Sequence, residues 1–298
     1  MDTRDVLLVD AFAAEPMAGN PTGVVTDAEG LSDDQQRAIA SELAASVTTF
    51  VLDSDRADRR LRYFDSAGEL DRVDHATVAA LAALYERDAV EEGEFEVETG
   101  GPTIDVEVQA GGTVWLDQGS AQSREAALDH EDAADALGVD VASLRDVGAD
   151  LPLAVADTGE PWLVVPVNYF QHLSGMDPDI GAIEALCDRV DAVGVYPFTF
   201  DTVSGEATLH GRAFRPGVAE ERITAGPAGA CAAYVRGQGA LDTTVDQILV
   251  EGGHFLDRPG LVRVDTDGLE AWVGGWAVTT MQGSMTVPAD SDDEILEV

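Results

Sequence analysis

"EERITAGPAGACAAYV", residues 220–235, reads as a turn of small residues opening directly into an alanine-rich helix, and the chain carries a second version of it. Shifted back by 150 positions stands "LDRVDHATVAALAAL", residues 70–84. At that offset Arg62 matches Arg212, Phe64 matches Phe214, Arg72 matches Arg222 and Val73 matches Ile223. The repeat predicts one strand–turn–helix built twice, and with it two related lobes.

Working outward, alternating apolar runs predict first-half strands at "VLLVDAF", "GVVT", "TTFVL", "LRYF", "FEVET", "TIDVEVQ" and "TVWL", with helices near 32–45 and 75–89. Ser32 followed by Gln35 has the spacing of a capping box. The second half predicts strands near 153–156, 162–167, 192–196, 208–214, 247–251, 261–265 and 269–273, and helices near 123–137, 179–191 and 226–237. Many short strands with few helices between them predict an α+β chain with mixed, largely antiparallel sheets. "ATVAALAAL" and "PAGACAAYV" are small and apolar nearly all round, so each lobe is expected to be a sheet curled around one buried helix. The boundary is expected near "LDQGSAQSREA", giving a first lobe of 1–117, joined again by about 282–298, and a second lobe of 118–281.

The 298 residues are 45% hydrophobic, ample for buried cores, and no apolar run is long enough to suggest a membrane span. The start "MDTRDVLLVDAF" has acids where an export signal has bases, so a cytoplasmic location is expected. Acids number 57 against 17 bases, every one of them Arg, for a net charge of -40. Such a surface repels nucleic acid and anionic lipid, and molar salt, which shrinks the Debye length to about 3 Å, would relieve its self-repulsion. The composition resembles that of halophilic proteins. Asp33-Asp34, Asp292-Asp293 and "REAALDHEDAADALGVD" read as solvated faces. Cys187 and Cys231 sit in apolar helical stretches as small buried thiols, and the five His show no metal-ligand spacing, so no metal is expected. "GGP" at 100–102 and "GG" at 111–112 read as strand-end turns and not as a phosphate-binding loop, which leaves a nucleotide-binding module unsupported.

The chemistry is expected at the N-termini of the two inner helices. Unpaired N–H groups and the positive end of the helix dipole make an anion site there. In "RITAGPAGA", Thr224 is the N-cap candidate, while Ala225 and Gly226 leave the turn open and Pro227 suits the first helical turn. In "RVDHATVAA", Asp74 is the N-cap candidate and His75 projects from the mouth. If the two lobes face each other, a small carboxylate held by one or both dipoles would sit where a proton beside it can be removed without metal or cofactor.

These segments are similar to those of the PhzF-like family, named after the phenazine-biosynthesis isomerase, with a diaminopimelate epimerase-like fold. "VDAFAAEPMAGNPTGVVTDAEGLS", with Asp10, Phe12, Gly19, Asn20 and Pro21, resembles the family's opening segment. "SVTTFVL" resembles its S-E-T-T-F-V-L strand, and "GELDRVDHATVAALAAL" its E-L-P-F-A-G-H-P-T-x-G-A-A helix start. "TGEPWLVVPV", "GVAEERITAGPAGACAAYV", "EGGHFLDRPG" and "VGGWAV" resemble later motifs in the same order. The resemblance implies two pseudo-symmetric lobes, a homodimer, no cofactor, and an isomerase acting on a small carboxylate-bearing molecule.

Carried over residue by residue, the family's catalytic glutamate falls on Val47, its aspartate on Glu221 and its Gly-Ser pair on Ala225 and Gly226. Its histidine is retained as His75, flanked by Asp74 and Ala76. Valine carries no proton, and losing a general acid or base forfeits about 10²–10⁴-fold in rate. Two expectations follow. Either His75 and Glu221 carry the proton transfer, with Asn20, Asp74, Thr224, Ala225 and Gly226 binding substrate, or the chain is a non-catalytic relative that binds a small carboxylate. The alternation in "TTFVL" also predicts that Val47 is buried.

Overall fold

A computed structural model describes residues 2–289 apart from 146, 148, 149 and 243. The Asp292-Asp293 pair and the last stretch of the expected 282–298 return lie outside the described residues. The chain divides into two compact units, Met1–Leu116 with Gly275–Val298, and Asp117–Gly274.

The first unit runs β1 (Thr3–Ala11), β2 (Asn20–Val25), α1 (Asp33–Leu43), β3 (Val47–Leu52), β4 (Arg59–Phe64), β5 (Glu69–Leu70), α2 (Asp74–Glu86), β6 (Gly93–Glu98), β7 (Ile104–Gln109) and β8 (Thr113–Ser120). The second runs β9 (Gln122–Glu125), α3 (His130–Leu137), α4 (Ala142–Arg145), β10 (Ala154–Asp157), β11 (Pro161–Pro166), α5 (Phe170–Ser174), α6 (Ile180–Val190), β12 (Gly194–Thr199), β13 (Leu209–Gly211), β14 (Ala213–Arg215), β15 (Val218–Glu221), α7 (Ala225–Gly237), β16 (Gln247–Gly252), β17 (Gly260–Thr266) and β18 (Glu270–Gly275). The chain then returns to the first unit as β19 (Ala277–Thr286).

Strand order in the first unit is β19-β1-β2-β3-β4-β6-β7-β8, antiparallel except at β2–β3 and β4–β6. The second unit repeats it as β9-β10-β11-β12-β13/β14-β16-β17-β18, parallel at β11–β12 and β13–β16. Each parallel pair needs a crossover. α1 and α2 supply them in the first unit, α5 with α6 and then α7 in the second.

The second crossover of each unit is its central helix. In α2 every residue from Ala76 to Leu84 is buried, and in α7 the residues from Ala225 to Val235 are buried except Gly226. The opposite sheet faces are covered by amphipathic helices. α1 packs Ile39 and Ala40 with Val25, Phe50 and Phe64, and α6 packs Ile183 and Leu186 with Leu163, Val165 and Val195. Removing such a buried side chain, as in Leu81→Ala in α2, costs about 3 kcal/mol. Cys187 and Cys231 are free and buried, and burial pushes the Cys187 thiol up to about 11.

Several elements differ from the sequence expectation. Residues 123–129 do not join the helix that follows. Gln122–Glu125 instead pairs with Ala154–Asp157 as an exposed edge strand, and α3 starts only at His130. The expected strand at 208–214 is two, because Pro197 of β12 accepts from the Arg212 amide (3.1 Å) but has no N–H to return. The capping box is present, with Ser32 Oγ accepting from the Gln35 amide and Gln35 Oε1 from the Ser32 amide.

Candidate functional site

The sequence repeat is a repeated side-chain device. Arg62 grips Glu69 with two prongs, Nε–Oε1 and Nη2–Oε2 both 2.7 Å, and lies 5.0 Å over the Phe64 ring. Arg212 grips Glu220 the same way, at 3.0 and 2.8 Å, and lies 4.9 Å over Phe214. Each pair fixes the short strand, β5 or β15, that leads into the central helix.

In the first unit, the start of α2 is filled by its own residues. Val73 and not Asp74 is the N-cap, and it offers no side-chain cap bond. Asp74 is the first helical residue, where its charge already meets the helix dipole, and Arg72 Nε holds it at 2.7 Å. Thr77 donates both its amide (2.9 Å) and its hydroxyl (3.0 Å) to the Val73 carbonyl, and its oxygen lies 2.7 Å from the buried Tyr63 hydroxyl, whose ionisation burial pushes up. His75 is half-buried beside Asp74.

Gly23 abuts Leu43 of α1 and Val25 packs with α1, so the alternate positions Asn20, Thr22, Val47 and Thr49 face α2. The Thr49 hydroxyl donates to the Ala76 carbonyl at 3.2 Å, in the helix's first turn. Val47 stands one alternate position before it, 6% exposed, so the wall there is buried and apolar as the alternation predicts. Asn20 is buried and accepts from the Ser46 hydroxyl at 3.3 Å. The turn before Asn20 is strained. Phe12 (φ 59), Met17 (φ 67) and Gly19 (φ +56) are left-handed, and a Cβ on Gly19 would stand 2.1 Å from the Ala11 carbonyl oxygen. The buried Asp10 carboxylate holds the turn by accepting from the Met17 amide at 2.8 Å.

In the second unit, the start of α7 is uncapped and carries no charge of its own. Thr224 is the N-cap with no side-chain cap bond, and the first turn, Ala225–Gly226–Pro227, carries no acid. Behind it stands Trp162 of β11, fully buried, with Nε1 3.9 Å from where a Cβ on Gly226 would lie. Gly194 makes room for that indole, since a Cβ there would sit 2.4 Å from Trp162 Cζ3. The Arg215 guanidinium lies 4.7 Å over the same ring. Its Nη2 reaches Glu160 at 2.8 Å, and its Nε lies 3.0 Å from Glu221 Oε1. Burial pushes the Glu221 carboxyl above its usual value, and Glu160 adds to this, against the attraction of Arg215.

A third constellation lies on the strands flanking α7. His210 Nδ1 is 2.8 Å from Glu251 Oε1, both side chains being buried. The same carboxylate accepts from the Val203 (2.5 Å) and Ser204 (2.9 Å) amides. Burial pushes Glu251 up, but His210 and these amides outweigh it and hold the carboxyl below its usual value. The His254 ring lies tilted against that of His210, with centroids 4.8 Å apart, and burial followed by the charge of His210 lowers its basicity.

Of the residues singled out in sequence, Asn20, Val47, Asp74 and His75 thus gather around the start of α2, and Glu221, Thr224, Ala225 and Gly226 around the start of α7. Trp162, Arg215 and the His210–Glu251 pair are absent from the sequence expectation. The first has a signal in the strand registers: Thr22↔Val47 and Trp162↔Gly194 make Thr22 and Trp162 equivalent, each following a proline. The His210–Glu251 pair spans 41 positions and leaves no local trace. Among the described residues no group of three or more His, Cys, Asp or Glu is arranged to hold a metal ion, and no helix is long and apolar enough to cross a membrane.

The duplicated α+β architecture is the diaminopimelate epimerase-like fold. It is similar to that of a hydroxyproline epimerase from Agrobacterium vitis, at a TM-score of 0.59 with 12% identity over 95% of this chain and 92% of that one. Within that fold the chain belongs to the PhzC-PhzF family, described as phenazine biosynthesis-like protein, whose model matches residues 9–283. It is 30% identical to an uncharacterized isomerase, YfhB, of Bacillus subtilis over 100% of both chains. A Bacillus anthracis phenazine biosynthesis protein of the PhzF family aligns at a TM-score of 0.83 and 29% identity, covering 96% of this chain and 100% of that one.

Proposed function

We propose that this chain is a PhzF-like isomerase or epimerase that moves a proton at the carbon beside the carboxylate of a small acid, using side chains and backbone N–H groups alone. The observation that carries this reading is Glu221, a carboxyl pushed up by burial a few residues before an acid-free helix start. A base must be basic enough to take a carbon-bound proton, and burial supplies that. The N–H groups of Ala225 and Gly226 stabilise the charge that develops on the substrate carboxylate, and the Thr224 backbone opens the cradle. His75 is the second proton carrier, Asp74 tunes it, and Asn20 serves as a polar contact. The reading takes the protein as a homodimer, with neither nucleic acid nor membrane as partner, and the charge of -40 as an adaptation to molar salt.

Deuterium wash-in from D₂O into a panel of amino and hydroxy acids, followed in molar KCl, tests it. At least one acid should exchange, with a rate that rises through a pH above the ordinary carboxyl value. Glu221→Gln and His75→Ala should each lower the rate by about 10²-fold or more. A second reading is favoured by one observation, the buried, proton-free wall at Val47. It takes the chain as a non-catalytic binder of a small carboxylate. Saturable carboxylate binding with no exchange on any acid would select it.

A further inference from the structure

Trp162 carries a donor that the molecule does not use. The side chain is fully buried and its Nε1–H has no hydrogen-bond partner among the described residues. Buried polar groups are nearly always paired, so an orphan held in one place calls for an explanation. This one is held firmly. Gly194 leaves room for the ring, Tyr196 meets it edge-on with centroids 6.5 Å apart, and the Arg215 guanidinium covers it at 4.7 Å. The nitrogen stands 3.9 Å from the Cβ position of Gly226, the second residue of the 13-residue helix α7. That helix has neither an acid in its first turn nor a side-chain cap.

We propose that the Trp162 indole N–H is a substrate-positioning donor, which shares the carboxylate of a small acid with the N-terminal amides of α7. This rests on reading that helix start as the anion cradle. Its further content is the class of ligand. The cation over the ring, Arg215, is paired with Glu160 and Glu221, so the donors of the helix start itself and of the ring behind it are neutral: backbone N–H groups and one indole N–H. Neutral donors beside two carboxylates favour a singly charged carboxylate and penalise a phosphate dianion. Glycine at 226 matters for the same reason, because a serine hydroxyl there would reach Nε1 and occupy the donor.

The test is a titration of the full-length ¹⁵N-labelled protein with sodium acetate at constant ionic strength. It follows the indole resonances of the 4 tryptophans and the amides of Ala225 and Gly226. Trp162→Phe identifies the Trp162 signal and keeps a ring beneath Arg215. Acetate should move the Trp162 indole and the two amides saturably, and leave the other three indoles in place. Trp162→Phe and, independently, Gly226→Ser should each weaken acetate binding about fivefold to tenfold, the scale of one hydrogen bond. Inorganic phosphate should bind at least about tenfold more weakly than acetate. If the two amides shift while the indole stays still, or if both variants bind like wild type, the indole assignment is overturned and the cradle reading stands. If neither amides nor indole respond, both fall. Equal affinity for phosphate overturns the assignment of ligand class.

Discussion

The two units build the same frame and finish its mouth differently. Both carry a two-pronged Arg–Glu pair over a phenylalanine, a short strand, and a 13-residue apolar helix between parallel strands. At the start of α2, however, Asp74 supplies the negative charge that the dipole attracts, and Arg72 holds it there. At the start of α7 no first-turn residue does, and a buried, unpaired indole nitrogen stands 3.9 Å from the Cβ position of Gly226. A duplicated element therefore does not duplicate its chemistry. One helix start has become self-satisfied, and the other keeps unspent donors.

The largest expected effect breaks the contrast on the catalytic side. Val47→Glu places a carboxylate in the wall facing α2, and if the missing proton carrier is what limits exchange, deuterium wash-in should rise about 10²–10⁴-fold. A folded variant, with unchanged circular dichroism and no gain, would show that Val47 is not the limiting position.

The paired arginines come next. Arg212 and Glu220 are both about nine-tenths buried, at 8% and 10% side-chain exposure, while Glu69 and Asp33 around Arg62 are 38% and 68% exposed. Arg212→Ala should therefore cost about 3 kcal/mol by stranding a buried carboxylate, against about 1 kcal/mol for Arg62→Ala. Urea midpoints measure both, and equal losses would mean that the two devices are energetically alike.

Acid should also separate the units. The Glu251 carboxyl is held below its ordinary 4.5, so its contribution is present above that value and lost as the pH falls through the lowered one. The His254 imidazole is held below 6.5, so the unfolded chain takes up its proton first and stability declines as the pH falls beneath 6.5. Amide protection factors in β13 and β16, taken relative to the intrinsic rate at each pH, should thus fall below about pH 6.5 before those in β2 and β3 do. His254→Phe should flatten the upper part of that decline. A simultaneous fall in both units would remove the distinction.

The smallest effect sharpens the comparison of mouths. Asp74→Asn should cost about 0.5 kcal/mol of stability by removing a charge from the helix start. It should also make the α2 amides responsive to acetate, as those of α7 are expected to be. If the α2 amides stay silent, the aspartate is not what closes that mouth.

Much of this frame is legible in the residues. The offset of 150 identifies Arg62 with Arg212 and Phe64 with Phe214 from residue identity alone, because a repeated device needs the same side chains at the same spacing. Periodicity likewise predicts that both central helices are buried all round. It misleads at 123–129, where "SREAALD" has helical composition but a sheet edge claims the backbone of Gln122–Glu125. It also misleads at Asp74, a natural N-cap residue that sits one position inside the helix, because Val73 supplies the extended backbone there. The site is less legible than the fold. Glu221 and Gly226 can be named from their motif, but Trp162 belongs to another strand and matters only through where its nitrogen points.

By itself the sequence determines the duplication, the α+β class and the buried helices, since these follow from residue type and local period. Only the tertiary structure decides that the α7 start is uncapped while Arg72 holds Asp74 at the start of α2, and that Trp162, Arg215 and Glu221 meet beside α7. The reason is that a hydrogen bond or ion pair depends on distances of a few ångströms between strands far apart along the chain, which no local pattern encodes.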